Sequence, residues 1–290
     1  MKQVSLLCCT LGCFLLPSLL MGQPYFGAIN STSYDRWALG LNLGTLWVQG
    51  DIQPQVPGYQ VGVYAQKSIQ RPFDIRFSFN WGQASGQDLS PTDGLRFNPI
   101  FNSPTDTTSQ FDSTMAIFQN YQMTAMDVAL EFKLNLNRVF LTNSGDNWDA
   151  YVLAGMGILL SLTRMDIYDD QAGVIYDYST VPTDDLQKAR ESLKLLVDGN
   201  YETLAERDFI NSTFVGKYVF NTQFVMGLGG RYRLANDLAI GMEARYTFVG
   251  SDLLDGQQWK DAFSTDPNSV RQLSNDGIVR IALTLDYTLQ

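Results

Sequence analysis

Three features of the sequence predict an all-β fold: an eight-stranded antiparallel transmembrane β-barrel with long extracellular loops, one of them containing a short helix. The first is alternation. In Trp37-Ala-Leu-Gly-Leu-Asn-Leu-Gly-Thr-Leu-Trp47, residues Trp37, Leu39, Leu41, Leu43, Thr45 and Trp47 share one face, and Ala38, Gly40, Asn42, Gly44 and Leu46 share the other. Period two with two unlike faces marks a β-strand. The second is spacing. The two tryptophans stand ten residues apart, which at roughly 3.3 Å per residue and a tilt near 40° spans about 25 Å, the height of the apolar band of an outer-membrane barrel. The third is the character of the chain beyond residue 22: no stretch is long and apolar enough for a membrane helix, so any crossing must be made by strands.

The chain has 290 residues. Residues 4–21 are almost continuously apolar behind Lys2, which reads as a secretory signal peptide, so the expected organisation is a leader over 1–22 and one barrel domain over 23–290. Cys8, Cys9 and Cys13 all fall in that leader, leaving the rest of the chain without disulfide or thiolate chemistry.

Seven further segments repeat the pattern of the first. The second, 58–70, sets Tyr59, Val61, Val63 and Ala65 against Gln60, Gly62, Tyr64 and Gln66. Gln70-Arg-Pro72 turns into the third, with Phe73, Ile75, Phe77, Phe79 and Trp81 against Asp74, Arg76, Ser78 and Asn80. The fourth sets Met126, Val128, Leu130, Phe132, Leu134 and Leu136 against Asp127, Glu131, Lys133 and Asn135. In the fifth, 148–162, Ala150, Val152, Ala154, Met156, Ile158 and Leu160 oppose Tyr151, Gly155, Gly157 and Ser161, with Leu153 and Leu159 on the inner side as exceptions.

The sixth sets Phe224, Met226, Leu228 and Tyr232 against Gln223, Gly227, Gly229, Arg231 and Arg233. Ala235-Asn-Asp237 turns into the seventh, with Leu238, Ile240, Met242, Ala244, Tyr246 and Phe248 against Gly241, Glu243, Arg245 and Thr247. The last sets Val279, Ile281, Leu283, Leu285, Tyr287 and Leu289 against Arg280, Ala282, Thr284 and Asp286. An even strand count with short turns alternating with long loops is the outer-membrane pattern, the short turns periplasmic and the long loops extracellular.

The facing of these strands decides between two barrels. A secreted lipocalin-like barrel would turn the apolar face inward and expose a glycine-rich, lysine-poor surface. A membrane barrel turns it outward to outer-membrane lipid. Arg76, Glu131, Lys133, Arg231, Arg233, Glu243, Arg245, Arg280 and Asp286 then form a structural polar network that pairs across strands and fills the narrow lumen. Trp37, Trp47, Tyr59, Trp81, Trp148, Tyr246 and Tyr287 are the expected aromatic girdle. The chain is therefore expected to be a membrane barrel with its apolar face outward.

The loops 83–120, 163–213 and 249–276 hold 20 acidic and 8 basic residues, against a net charge of −10 for the whole chain, so the barrel is nearly neutral and the loops are acidic. That disfavours nucleic acid and anionic surfaces as partners. Within loop 163–213 a helix is predicted from Asp184 to Val197, capped by Thr183, with Leu186, Ala189, Leu193 and Leu196 on one face. The helix is expected to pack over the barrel mouth or against another loop; contact with an envelope protein partner through loop 163–213 is the alternative.

Catalytic chemistry has little to stand on. With no histidine, Ser–His and Asp–His arrangements are impossible, so no catalytic residues and no cofactor are expected. Asp166, Asp169 and Asp170 offer oxygen ligands but not the spacing of a calcium loop, and no metal site is expected. Gly227-Leu-Gly-Gly230 lies inside a strand and is no phosphate loop.

Several short stretches carry a family resemblance. They are Gly50-Asp-Ile52, Gly82-Gln-Ala-Ser-Gly-Gln-Asp88, Asn120-Tyr-Gln122, Tyr151-Val-Leu-Ala-Gly-Met-Gly157, Asp198-Gly-Asn-Tyr-Glu-Thr203 and Ser251-Asp-Leu-Leu-Asp-Gly-Gln-Gln-Trp259. In this order the chain resembles the N-terminal β-barrel of outer-membrane protein A-like proteins of Gram-negative envelopes. The resemblance implies a barrel in the cell outer membrane. Such proteins often continue into a peptidoglycan-gripping domain, and this sequence stops with its last strand, so wall anchoring is not expected. The expected function is a non-enzymatic structural or interaction barrel, or a subunit of a larger envelope assembly; a small-solute channel and the lipocalin-like binder are the alternatives.

Overall fold

A computed structural model describes residues 36–50, 52, 55–70, 72–92, 117–140, 147–169, 174–205, 212–251, 253–256 and 276–289. The leader and its cleavage point lie outside these residues. Eight long strands form the barrel: β1 (Trp37–Gln49), β2 (Gln55–Gln70), β3 (Phe73–Gln87), β4 (Asn120–Asn135), β5 (Trp148–Met165), β10 (Tyr218–Arg233), β11 (Leu238–Val249) and β12 (Gly277–Thr288). Each pairs antiparallel with its chain neighbour. The β1–β12 pairing closes the cylinder, and β5 pairs with β10 across the longest loop. No helix among the described residues is long and apolar enough to cross a membrane.

The strands alternate as the sequence requires. Outward residues are exposed and apolar: Leu43, Met156 and Leu228 are 63%, 69% and 63% exposed. Leu153 and Leu159 of β5 are buried inside, so the strand keeps one facing throughout. Three cross-strand pairs on the inner wall explain part of the glycine content. Gly40 faces Tyr64, Gly229 faces Tyr151 and Gly86 faces Tyr121. A Cβ on Gly40 would stand 2.1 Å from the Tyr64 ring and one on Gly229 would stand 2.5 Å from that of Tyr151, so only glycine lets these rings lie flat on the wall.

The strands run further than the apolar alternation suggests, and the excess is at the long-loop end. β3 continues to Gln87 and β4 begins at Asn120. There the alternation inverts: Gln83, Gln122 and Thr124 point outward, while Ala84, Tyr121 and Met123 are buried inside. The barrel thus has a lower storey with an apolar outside and polar inside, and an upper storey arranged like a water-soluble protein. At the short-turn end, β4 stops at Asn135 and Leu136 opens the five-residue helix α1 (Leu136–Phe140) instead of extending the strand. Asn137 holds that turn by bonding the Trp148 carbonyl (2.7 Å) and the Ala150 N–H (2.8 Å).

The described residues of loop 163–213 carry secondary structure of their own. They contain the hairpin β6 (Tyr168–Asp169) and β7 (Val174–Ile175), a 3-10 turn over Tyr178–Thr180, and α2 (Leu186–Leu196). Short strand β8 (Thr203–Leu204) pairs with β5 beyond its last pair with β10, and β9 (Thr213–Val215) pairs with β10 beyond its last pair with β11. The α2 cap is Asp185, not Thr183. Its Oδ1 accepts from the N–H groups of Gln187 (3.0 Å) and Lys188 (3.2 Å), because the capping side chain must sit directly before the first helical residue. Ala189 and Leu193 are buried, whereas Leu186, expected on the same face, is exposed.

Candidate functional site: a plugged lumen and a loop cap

Inward residues of the lower storey meet in three layers. At the short-turn end, the Asp74 carboxylate accepts from Gln66 (2.9 Å), Ser68 (2.7 Å) and Asn135 (2.8 Å). Lys133 donates to Gln66 (3.1 Å) and lies 3.8 Å from the centroid of the Tyr151 ring, while the Tyr64 hydroxyl donates to Asp286 (2.9 Å). Arg231 pairs with Asp149 at 3.0 Å. Arg233, expected in the interior, instead sits at the mouth with 47% of its side chain exposed, 3.9 Å from the same carboxylate. Position 233 is one residue past the last pair with β5, where the wall ends.

The middle layer is a closed quartet. Arg76 bonds Glu131 through Nε (2.6 Å) and Glu243 through both terminal nitrogens (2.9 and 3.0 Å). Arg245 bonds the same two carboxylates from the other side, through Nη1 to Glu131 (2.9 Å) and through Nε to Glu243. Ser78 donates to Glu131 and Tyr151 to Glu243, both at 2.8 Å, so two cations and two anions are matched with hydroxyls filling the remaining lone pairs.

Above it, Arg280 pairs with Asp127, which also accepts from Asn80 (2.9 Å), and Asn80 in turn accepts from Asn42 (3.0 Å). Asp127, Asp149, Tyr64 and Tyr151 are network members that the charged-residue reading did not single out. Asp127 was legible, since it lies four residues from Glu131 on the same face of one strand.

Above these three layers lies an apolar plug in the upper storey. Leu46, Val48, Tyr121, Met123, Leu159 and Ile278 of the wall pack with Ile52 and Leu254 from the loops. Carboxylates hold the loop pieces in place: Asp276 accepts the Leu254 N–H at 2.7 Å and Asp255 accepts the Ile52 N–H at 3.2 Å. The lumen is therefore closed twice, by paired charge in the middle and by packed hydrocarbon above.

Loop 163–213 adds a separate core. Phe118, Met165, Ile167, Tyr176, Tyr178 and Leu193 are buried together. Asp166 ties this cap to the wall: its N–H donates to Asn120 Oδ1 (2.8 Å), its carbonyl accepts from Asn120 Nδ2 (2.7 Å), and its Oδ2 accepts the N–H of Gly199 (2.8 Å). Gly199 has φ +84°, a left-handed conformation that suits glycine. Asp170, the third carboxylate weighed with Asp166 and Asp169 as oxygen ligands, lies outside the described residues, and among the described residues no three His, Cys, Asp or Glu side chains are grouped so as to hold a metal ion.

Burial, reinforced by the neighbouring Asp198 and Glu202 and opposed by the Gly199 and Tyr176 bonds, lifts the Asp166 carboxyl to about 6. The folded cap then retains a proton that the unfolded chain releases near its ordinary value of 3.8, so cap stability falls as pH rises from that value to about 6 and is level above it. Hydrogen-exchange protection of the Gly199 amide is expected to be higher at pH 5 than at pH 7.5. Asp166→Asn should remove that difference; protection independent of pH in the native protein would count against the assignment.

The aromatic residues fall into two tiers on the outer wall. Trp37, Trp148 and Tyr287 lie towards the short-turn end, where Trp148 packs edge-on against Tyr232 (5.6 Å) and Lys67 lies 5.4 Å from the centroid of the Trp37 ring. Trp47, Tyr59, Trp81 and Tyr246 lie towards the long-loop end, where Tyr59 and Trp81 meet at 5.5 Å.

No family model and no curated protein matches this sequence. Among solved structures the chain is similar to Neisserial surface protein A, at 7% identity over 87% of this chain and 96% of that one, with a TM-score of 0.40. It is similar to Ail, the attachment invasion locus protein of Yersinia pestis, at 8% identity over 88% and 99%, with a TM-score of 0.40. The N-terminal β-barrel domain of Pseudomonas aeruginosa OprF gives 7% identity over 86% and 97%, with a TM-score of 0.29. At such values these likenesses assign nothing; the barrel rests on this chain's own strand pairing.

Proposed function

We propose that this protein is a non-enzymatic barrel of the Gram-negative outer membrane, of the outer-membrane protein A-like kind, that serves as a structural and interaction platform. One observation carries the reading: the lower storey presents a continuous exposed apolar wall, bounded by two aromatic tiers, around an interior of matched charges. Water would not tolerate that exterior, and lipid would. The network then serves to fill the lumen and fix strand register, the tiers anchor the wall at the two interfaces, and the acidic cap of loop 163–213 meets an envelope protein partner.

The channel reading fares worse, because an aqueous path would have to pass both the quartet and the plug. The test is reconstitution. The protein is expected to need detergent or lipid to stay dispersed and to give no steady conductance in planar bilayers. Steady conductance would favour the channel, and a monodisperse protein without detergent would overturn the membrane assignment. A stoichiometric partner that co-purifies from cross-linked membranes, and is lost when residues 183–208 are deleted, would support the platform role.

A further inference from the structure

We propose that the outer wall at the long-loop lip carries a binding site for the phosphate-bearing headgroup of a membrane lipid. A cavity of about 560 Å³ lies there. Its back wall is Gln122 and Thr124 of β4 with Leu162 and Arg164 of β5, and its roof is segment 199–202 of the cap. The wall residues are two cross-strand pairs, Gln122 with Arg164 and Thr124 with Leu162. Directly below them on the same face come Met126 with Leu160 and Val128 with Ile158. The cavity therefore opens where the apolar wall gives way to the polar one. That level is the headgroup zone if the barrel is in a membrane, so the site rests on the membrane reading.

The chemistry of the cavity is that of an anion anchor over a hydrocarbon track. Among the described residues the Arg164 guanidinium makes a single long hydrogen bond, from Nη1 to the Tyr201 carbonyl at 3.5 Å. The acid in the roof is engaged elsewhere: Glu202 Oε1 accepts from the N–H groups of Ile167 (3.3 Å) and Tyr168 (3.0 Å) and from the Thr203 hydroxyl (3.0 Å). Arg164 is thus a planar, forked donor with most of its capacity unspent, flanked by the neutral donors Gln122 and Thr124. Phosphate oxygens match that fork.

Free phosphate is the weaker candidate. The surrounding loops are strongly acidic and repel dissolved anions, whereas a lipid is held at the lip by its chains lying on Met126, Val128, Ile158 and Leu160.

The test uses the full-length protein refolded in neutral detergent, with dioctanoyl phosphatidic acid as the probe and native mass spectrometry as the readout. One lipid per barrel is expected, with little binding of dioctanoylglycerol, which has the chains but no phosphate. Arg164→Gln should weaken binding by about tenfold or more, as loss of charge-assisted hydrogen bonds does. Arg164→Lys should recover part of it, and Lys188→Gln, on the exposed face of α2, should change nothing. Heat-modifiable gel mobility reports whether each variant is folded, and Gln122→Leu provides a second, gentler loss of a donor. An Arg164→Gln curve superimposed on the native one would overturn the site. Inorganic phosphate that competes at equal concentration would overturn the lipid as its source. A protein that never enters micelles would overturn the membrane reading beneath it.

Discussion

Replacing Arg76 with leucine is expected to destabilise the barrel by about 3–5 kcal/mol, the cost of stripping one partner from a buried ion pair. Arg76 is fully buried and is the only group among the described residues that bonds both Glu131 and Glu243 from the β3 side. Without it the two carboxylates share Arg245 alone, helped by the hydroxyls of Ser78 and Tyr151. The quartet then carries one uncompensated negative charge at the centre of the lumen. The double variant Arg76→Leu/Glu243→Leu leaves Arg245 matched to Glu131 and should recover most of the loss, so the two substitutions are strongly non-additive. Urea unfolding in micelles, followed by tryptophan fluorescence, measures both. A single variant within 1 kcal/mol of the native protein, or a double variant equal to the sum of the singles, would show that the quartet does not act as a unit.

The lower storey was legible in the sequence because a lipid exterior and a charged interior impose opposite demands on alternate residues. Eight segments could be faced from that alone, including β5, where Leu153 and Leu159 run against the rule and are still inward. The upper storey was not legible as strand for the same reason. Where Gln83, Gln122 and Thr124 take over the outer face, an apolar-outside template reads loop, although the pairing of β3 with β4 continues to Gln87 and Asn120. Charged members of the network could be picked out by type, but their partners could not. That Arg76 meets Glu243, 167 residues away, depends on closure of the cylinder and not on any local spacing. The pocket beside Arg164 needs segment 199–202 folded back over β4 and β5, a contact no periodicity encodes.

Replacing Leu41 with arginine is expected to cost about 2–4 kcal/mol, the depth-dependent cost of a charge on the lipid face near the midplane of a barrel. Leu41 is 56% exposed, lies between Trp37 and Trp47 on β1, and is flanked by Val63 of β2 and Leu285 of β12. In water the same substitution would cost little, since the side chain already points away from the interior and arginine would improve the surface. The sign of the effect therefore reports the solvent, not the packing. Thr124→Arg supplies the internal comparison: it points outward on the same barrel but above the apolar wall, where the expected cost falls to about 0–1 kcal/mol. Folding titrations of both variants into phospholipid bilayers give the difference directly. Equal small costs at the two positions would mean that the exposed apolar wall does not face lipid. A large cost at Leu41 alone would place the membrane boundary between the levels of these two residues, at the height where the strands change from apolar outside to apolar inside.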